Sequence, residues 1–421
     1  MSAAEPSIPW RARLGALTER DYRLLFSATT ITTIGDRLAG IALAFAILDL
    51  GSVTDLGIVL GVRQAVEAAA LVFGGVLSDR LPRNLVLVGA STVQGVAQAF
   101  TAALVLSGSA SIGLLIALQS LYGVGSALVI PAEVGLVPQT VSPQRLQQAN
   151  ALQGMSRNIV GVAGPAIGGI LVAAGSPGIA LGLDAVSFAV CAVLLARIRI
   201  KPREAETEQA GYFHELRAGW REFTAHTWLW STVFIFGISN MFWVGCWSVL
   251  GPEIADLELG GAGSWAVILS ANGVGAIIGS LVAMRYRPSR PLLASCLAPL
   301  PMVVVLGALA LGWPVWLIAL TNLFAGVGLS VHITLWFTVF QREIPENAQS
   351  RVSSYDALGS FVLLPVGMAL AGPVSAAIGI DETLWLGVMI FLVATAIIVS
   401  IPSVRAIRAP MAADAATPTL P

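Results

Sequence analysis

The chain has 421 residues, 56% hydrophobic and 11% charged, with a formal net charge of −1 and a mean hydropathy of +0.82. A soluble domain carries about 25% charged residues, so an ordinary water-soluble fold is excluded, and the near-neutral balance offers no basic surface to nucleic acid. The sole lysine, Lys201, is followed by Pro202, so the phosphate-cradling motif G-x-x-x-x-G-K-[ST] is excluded as well.

A bilayer core about 30 Å thick is crossed by roughly 20 apolar residues. On that ruler the sequence predicts twelve helical spans, over 22–48, 54–77, 85–107, 112–134, 150–174, 178–196, 228–251, 263–284, 291–311, 314–340, 353–377 and 383–402. Period-two alternation is absent, which argues against a membrane β-barrel. The expected fold is all-α and polytopic, with two pseudo-symmetric six-helix bundles. Its parts are an N-terminal tail (1–21), a first bundle (22–196), a central loop (197–227), a second bundle (228–404) and a C-terminal tail (405–421). The first apolar segment is too long for a signal peptide and contains Asp36 and Arg37, so no cleaved leader is expected. Apart from Arg37, Arg63 and Arg157, the Lys and Arg residues fall at the termini and in the even-numbered loops. The odd-numbered loops have acids instead: Asp49, Asp55, Glu253, Asp256, Glu258, Asp381 and Glu382. Positive charge marks the cytoplasmic side, so both termini are expected there, in a plasma (inner) membrane.

Asp36 and Arg37 lie midway along span one, and Arg63 and Glu67 lie four apart on one face of span two. Counting from either end puts all four at similar depth. An isolated charge there costs roughly 3 to 17 kcal/mol, and such groups are functional candidates by default. Two readings stand: a proton-coupling site, in which Asp36 or Glu67 takes up a proton outside and releases it inside, or a permanently paired quartet that ties spans one and two together. After span two the chain reads Ser78-Asp79-Arg80-Leu81-Pro82-Arg83-Asn84, three charges within five residues between apolar runs. Gly123-x-Gly125, Gly273-x-Gly275 and Gly326-x-Gly328 lie within apolar spans and read as helix-packing glycines. Span five contains Arg157, which would attract an anionic group or pair with an acid, and the run Gly161-Val162-Ala163-Gly164-Pro165-Ala166-Ile167-Gly168-Gly169. Small residues allow close helix approach in lipid and proline frees a carbonyl and bends a helix; gating and plain tight packing both fit. Asp184, towards the outer end of span six, reads as structural.

The loop after span six contains a short amphipathic stretch, 215–223, expected to lie at the interface. Asn240, Trp243 and Trp247 in span seven, with His332 and Trp336 in span ten, are candidates to line a cavity for an amphiphile, Trp247 least because it sits near the outer face. Cys191, Cys246 and Cys296 are too scattered for a disulfide framework or a metal site. The halves echo each other at offsets of about 200 residues. Arg80-x-x-Arg83 is matched by Arg287-x-x-Arg290, and the lead-in to span five, from Val141 to Gln147, is matched by that to span eleven, from Glu343 to Gln349. Such weak internal symmetry is expected of a transporter built from two parallel six-helix repeats.

Gly75-x-Leu77-x-Asp79-Arg80-x-x-Arg83 resembles the signature loop between spans two and three of the major facilitator superfamily, departing from it at Pro82 and Asn84. The span-five run resembles the antiporter motif of that superfamily's exporter branches. The lead-in from Val137-Pro138 to Asn150-Ala151, with Leu183-Asp184-Ala185-x-Ser187-Phe188, is similar to the branch of macrolide and siderophore exporters. The resemblance spans essentially the whole chain. It implies a secondary transporter, monomeric, that exports a small hydrophobic or amphiphilic compound across the lipid bilayer by alternating access, as an antiporter coupled to proton entry, with no cofactor or metal. A siderophore exporter, an importer, and a non-transporting receptor on the same fold are the alternatives. The resemblance also implies a cytoplasmic latch, with Asp79 against the N-terminus of span eleven near Ser353 and Ser354, which read as its N-cap, Glu133 opposite Arg83, and Asp356 beside them. The other reading of the loop is topology alone, with Arg80 and Arg83 holding it inside. If the latch operates, Asp79→Asn leaves the protein in the membrane and cuts transport several-fold in a vesicle assay; unchanged transport leaves only the topological role.

Overall fold

The computed structural model describes residues 15–175, 177–200 and 212–409, with residues 72–80, 212–216, 347 and 350 described by backbone alone. The side chains of Gly75, Asp79 and Arg80, most of both tails and part of the central loop therefore lie outside the described residues. Every regular element among the described residues is helical. Eleven helices are long and apolar enough to cross a membrane, and Val53–Arg80, 28 residues, is a further long one. Within lipid no water satisfies a peptide group, so a spanning segment closes its hydrogen bonds on itself as helix.

The chain divides into two compact units, Met1–Ala205 with Gly261–Ala266, and Glu206–Gly260 with Val267–Pro421. In the first unit, α1 (Arg20–Leu50), α2 (Val53–Arg80), α3 (Arg83–Leu106), α4 (Ile112–Thr140), α5 (Leu146–Ala173) and α6 (Pro177–Ala196) pack mainly as the pairs α3–α6, α1–α6, α2–α4, α3–α4 and α1–α5. Most of these helices overrun the predicted spans, because hydropathy marks only the hydrocarbon-depth stretch and the hydrogen-bond ladder continues past it. Asp49 and Asp55 consequently lie in terminal turns of α1 and α2 rather than in a loop. Pro131 and Pro138 in α4 and Pro165 in α5 are carried inside continuous helices. Ahead of α1, a 3₁₀ turn over Gly15–Thr18 docks on the start of α5. The Ala16 N–H donates to Gln148 Oε1 at 2.8 Å, Arg145 donates to the Gly15 carbonyl at 2.9 Å, and the Tyr22 hydroxyl donates to the Ala149 carbonyl at 2.7 Å.

The second unit begins with α7 (Tyr212–Ala225). The amphipathic stretch is helical, and two of its apolar side chains, the half-exposed Trp220 and the buried Phe223, meet Tyr355 at ring distances of 5.4 and 5.9 Å. Span seven is α8 (Thr227–Gly245), a π-helical turn over Cys246–Leu250 and α9 (Gly251–Leu257), so Glu253 and Asp256 are helical rather than loop residues. α10 (Ala262–Arg285) follows. Span nine is broken into α11 (Pro291–Leu297) and α12 (Pro301–Ala310), where Pro299 and Pro301 remove two N–H donors. After α13 (Val315–Glu343), span eleven is likewise two helices, α14 (Glu346–Phe361) and α15 (Leu364–Ile378), interrupted at Val362 and Leu363, because Pro365 has no N–H to bond the Phe361 carbonyl four residues back. α14 starts after Pro345, so Ser353 and Ser354 lie well inside it and do not cap it. Gly379, at φ 102, turns the chain into α16 (Ile380–Ser400), which places Asp381 and Glu382 in a helical first turn, where acids suit the helix dipole. A last short helix, α17 (Pro402–Ala406), ends the described chain.

The halves repeat one packing scheme. Spans one–five, one–six, three–four and three–six pair in the first unit, and seven–eleven, seven–twelve, nine–ten and nine–twelve pair in the second. The paired glycines show why. A methyl on Gly123 would lie 2.7 Å from the Arg63 carbonyl of span two, and one on Gly125 would lie 3.0 Å from the Ala90 carbonyl of span three. Gly326 and Gly328 face the Asn272 carbonyl of span eight and the Ala298 carbonyl of span nine in the same way. Residues two apart point to roughly opposite sides of a helix, so spans four and ten are each wedged between two neighbours. Gly123→Ala and Gly326→Ala should each destabilise by about 1–3 kcal/mol. Gly113→Ala, whose added methyl meets nothing within 4 Å, should be neutral or slightly stabilising; thermal unfolding in lipid nanodiscs compares the three.

Candidate functional site

Of the four charges of spans one and two, Asp36, Arg63 and Glu67 converge on α4 in the first unit, and they do not form a paired quartet. None forms a direct ion pair with another. The Tyr122 hydroxyl, from α4, donates to Asp36 Oδ1. Arg63 lays its guanidinium over the Tyr122 ring, 4.0 Å from the centroid, and donates from Nη1 to Gln119 Oε1 at 3.2 Å. Glu67 accepts from the Ser126 hydroxyl at 2.9 Å. Gly123 allows this arrangement: the close α2–α4 approach it permits brings Arg63 and Glu67 against Gln119, Tyr122 and Ser126, which recur on one face of α4 at helical spacing.

The network reaches further than the sequence indicated. Gln119 Nε2 is 3.5 Å from both Gln98 Oε1 and Thr101 Oγ1 on α3, and Gln98 Nε2 donates to Asp184 Oδ2 on α6 at 2.9 Å. Ser187 donates to Asp184 Oδ1 at 3.3 Å. Asp184 is completely buried and lies against Gly35, where any side chain would overlap its carboxylate. It is therefore level with Gly35 and Asp36 of α1, in the first half of α6. The available signal was polar: Gln94, Gln98 and Thr101 recur on one face of an apolar helix.

Beside this network lies a cavity of about 200 Å³ lined by Thr33, Asp36, Arg63, Gln94, Tyr122 and Glu133, among others. Arg37 points elsewhere and is exposed. Its backbone is the surface that the span-five run packs on: added methyls on Gly164 and Gly168 would meet the Arg37 side chain and the Leu38 backbone. Pro165 and Gly169 are buried, and Gly161 faces open space. Glu133 also borders a second cavity of about 350 Å³, opposite Arg157 and with Asn150 and Gln153. Arg83 was expected to meet Glu133. One of its partners is the Gly135 carbonyl at 2.6 Å, two residues further along α4, where the guanidinium occupies the space a side chain at 135 would need.

In the second unit four candidates join. Asn240 donates to the Ser360 carbonyl at 3.2 Å, the Ser360 hydroxyl is 3.4 Å from Asp356, and Trp336 Nε1 donates to Asp356 Oδ2 at 3.1 Å. His332 stacks between Phe236 and Trp336 and is tied to Ser295, its Nδ1 2.9 Å from the Ser295 carbonyl. Asp356 thus belongs with the cavity candidates by its contacts, and His332 is a stacked, hydrogen-bonded histidine. Trp243 lies apart from them, stacked on Trp247 at 5.4 Å. Cys191, Cys246 and Cys296 are buried free thiols. Among the described residues no three His, Cys, Asp or Glu side chains gather as a metal site.

Long apolar helices in two units of one packing scheme, with ionisable groups held at mid-span, define a multi-pass membrane protein of transporter type. The chain belongs to the Major Facilitator Superfamily, whose family model matches residues 25–363, and is a transporter of that superfamily. It is 26% identical over 397 residues to the enterobactin exporter EntS of Shigella boydii, covering 91% of this chain and 94% of that one, and equally so to the Escherichia coli exporter of the same name. Among solved structures it is similar in fold to a bacterial homologue of the iron transporter ferroportin in an inward-facing state, with a TM-score of 0.69 at 16% identity, covering 90% of this chain and 98% of that one. It is similar also to the peptide transporter POT in complex with sulfate, with a TM-score of 0.66 at 15% identity and coverage of 95% and 99%.

Tyr122 separates Arg63 from Asp36, and its hydroxyl is the only part of it that bonds Asp36. Tyr122→Phe should therefore keep the fold and the cation–ring contact while removing that bond, with loss of about 1–3 kcal/mol of stability; thermal unfolding of the variant in nanodiscs measures it.

Proposed function

We propose that this transporter exports a small amphiphilic compound by alternating access, driven by protons entering through Asp36, and that a siderophore-type molecule is the form of cargo that the likeness to enterobactin exporters favours. One observation carries the coupling assignment. Asp36 opens onto a cavity and accepts from a neutral tyrosine, while Arg63, the half-buried cation that lines the same cavity, is engaged on the ring and amide beside it. A carboxylate locked in a direct ion pair is poorly suited to exchange a proton, and this one is not locked. Glu67, held by Ser126, is the second candidate.

In the proposed cycle Asp36 is protonated from the outer side. Loss of its charge weakens its bond from Tyr122, a charge-assisted contact, and the local network relaxes. The substrate then leaves outward, and the proton is released inward as Asp36 recharges. The polar and aromatic side chains of the second unit, Asn240, Trp336 and Asp356, would supply contacts for a ligand with both ring and oxygen groups. Both termini are placed in the cytoplasm, the membrane is the inner one, and the working unit is a monomer; the cytoplasmic latch of Asp79, Arg80 and Arg83 remains part of this reading.

Everted membrane vesicles with an imposed pH gradient test it, using enterobactin and, separately, a lipophilic cation dye as probes. Asp36→Asn should abolish gradient-driven accumulation while leaving gradient-independent exchange within about threefold, the pattern expected when only the coupling group is lost. Glu67→Gln should retain coupling. Full coupling in Asp36→Asn removes Asp36 from the role, and accumulation of neither probe removes the assigned cargo class.

A further inference from the structure

We infer that Asp184 is a positioning residue, which through the amides of Gln98 and Gln119 holds the Arg63 guanidinium on the Tyr122 ring and away from the Asp36 carboxylate. The geometry is a single directed chain from α2 to α6. Arg63 Nη1 donates to Gln119 Oε1 at 3.2 Å, Gln119 Nε2 approaches Gln98 Oε1 at 3.5 Å, and Gln98 Nε2 donates to Asp184 Oδ2 at 2.9 Å. The ends set the direction. Arginine has donors and no acceptor, and the Asp184 oxygens accept from Gln98 and Ser187, so both intervening amides point their oxygens toward Arg63. A fully buried carboxylate with only a serine and an amide as direct donors is an expensive group to keep. The aligned amides give it a distant countercharge in Arg63, each hydrogen bond polarising the next.

With a neutral group at position 184 that both donates and accepts, the chain can reverse. A reversed Gln119 would present its NH₂ to Arg63, donor against donor, and the guanidinium would move toward Asp36, the carboxylate with which it shares the cavity and the Tyr122 side chain. Asp184 would then govern the charge seen by Asp36 without touching it. The remaining ionisable groups about this network are Arg37 on α1, Glu67 on α2, Glu133 on α4 with Arg157 opposite it on α5, and Cys191 on α6. The network residues from α3, Gln94, Gln98 and Thr101, are uncharged. None of these lies between Asp184 and Arg63 along the amide chain. Gly35 locks the other side: the Asp184 carboxylate fills the space beside it, one residue before Asp36.

The inference rests on Asp36 being the coupling carboxylate only for its consequence in transport; its test needs no transported substrate. Full-length protein in nanodiscs is treated with dicyclohexylcarbodiimide at one fixed pH, and the Asp36 peptide is quantified by mass spectrometry. The reagent consumes a protonated carboxyl, whose O–H adds across one C=N bond, so a carboxylate paired with a guanidinium is protected. Asp184→Asn and Gln119→Leu should each lower Asp36 labelling about tenfold, because an adjacent positive charge favours the unreactive ionised form. Asp184→Glu should restore most of the labelling. Ser187→Ala, which removes the other donor to Asp184 and leaves the amide chain in place, should label as the wild type. Wild-type labelling of Asp36 in Asp184→Asn overturns the inference, as does an equal loss in Ser187→Ala, which would point to general disturbance of α6. If Asp184→Asn does not fold, Gln119→Leu decides by the same criterion. Loss of gradient-driven export in Asp36→Asn belongs to the functional reading and moves independently of this yield.

Discussion

The bilayer offers no water to a buried polar group, and the rest of this structure follows from that constraint. Each peptide group must close its bond within a helix, and each polar side chain at depth must find a protein partner. Helices alone meet the first demand. The second draws Asp36, Arg63, Glu67 and Asp184 into one neighbourhood with Gln98, Gln119, Tyr122 and Ser126. The charges are not neutralised by contact. They are separated by neutral groups that have both donors and acceptors, and a network of that kind can rearrange without exposing a bare charge.

That arrangement gives the first unit a chemistry the second lacks. Its counterpart around Asp356 is built from indole, amide and imidazole, with carbonyl acceptors and stacked rings. The packing scheme of the two units is the same, while their interiors have diverged, one toward ionisable groups and the other toward aromatic ones. A duplicated scaffold in which one copy exchanges charge and the other grips a ring-bearing ligand is consistent with the proposed division of labour.

Much of this was legible in the sequence. Apolar run lengths located the spans, because hydrophobicity at membrane depth has few alternative meanings. Mid-span charges and the paired glycines announced themselves as exceptions to their surroundings. Breaks in spans nine and eleven were written in Pro299, Pro301 and Pro365, but the apolar run continues through them and hydropathy does not register a missing N–H. The partners of Asp184 were not legible for another reason: Gln98 and Gly35 come from two other helices, and sequence spacing says nothing of which residues share a level across helices. The bond from Arg83 to the Gly135 carbonyl was not legible either, since a backbone carbonyl is a partner any residue could have contributed.

The glycine pairs in spans four and ten carry a mechanical implication. Contact there is mostly backbone on backbone, with the Gln94 side chain sharing the seam at Gly125, so little can swing aside as a bearing. Rotating either helix about its own axis would drive a Cα into a neighbouring carbonyl, so these two helices act as fixed axles. Whatever displacement accompanies a transport cycle must come from elements held by longer, compliant side chains, and groups mounted on the axles, Tyr122 and Gln119 in one and His332 and Trp336 in the other, serve as stationary landmarks past which other helices move.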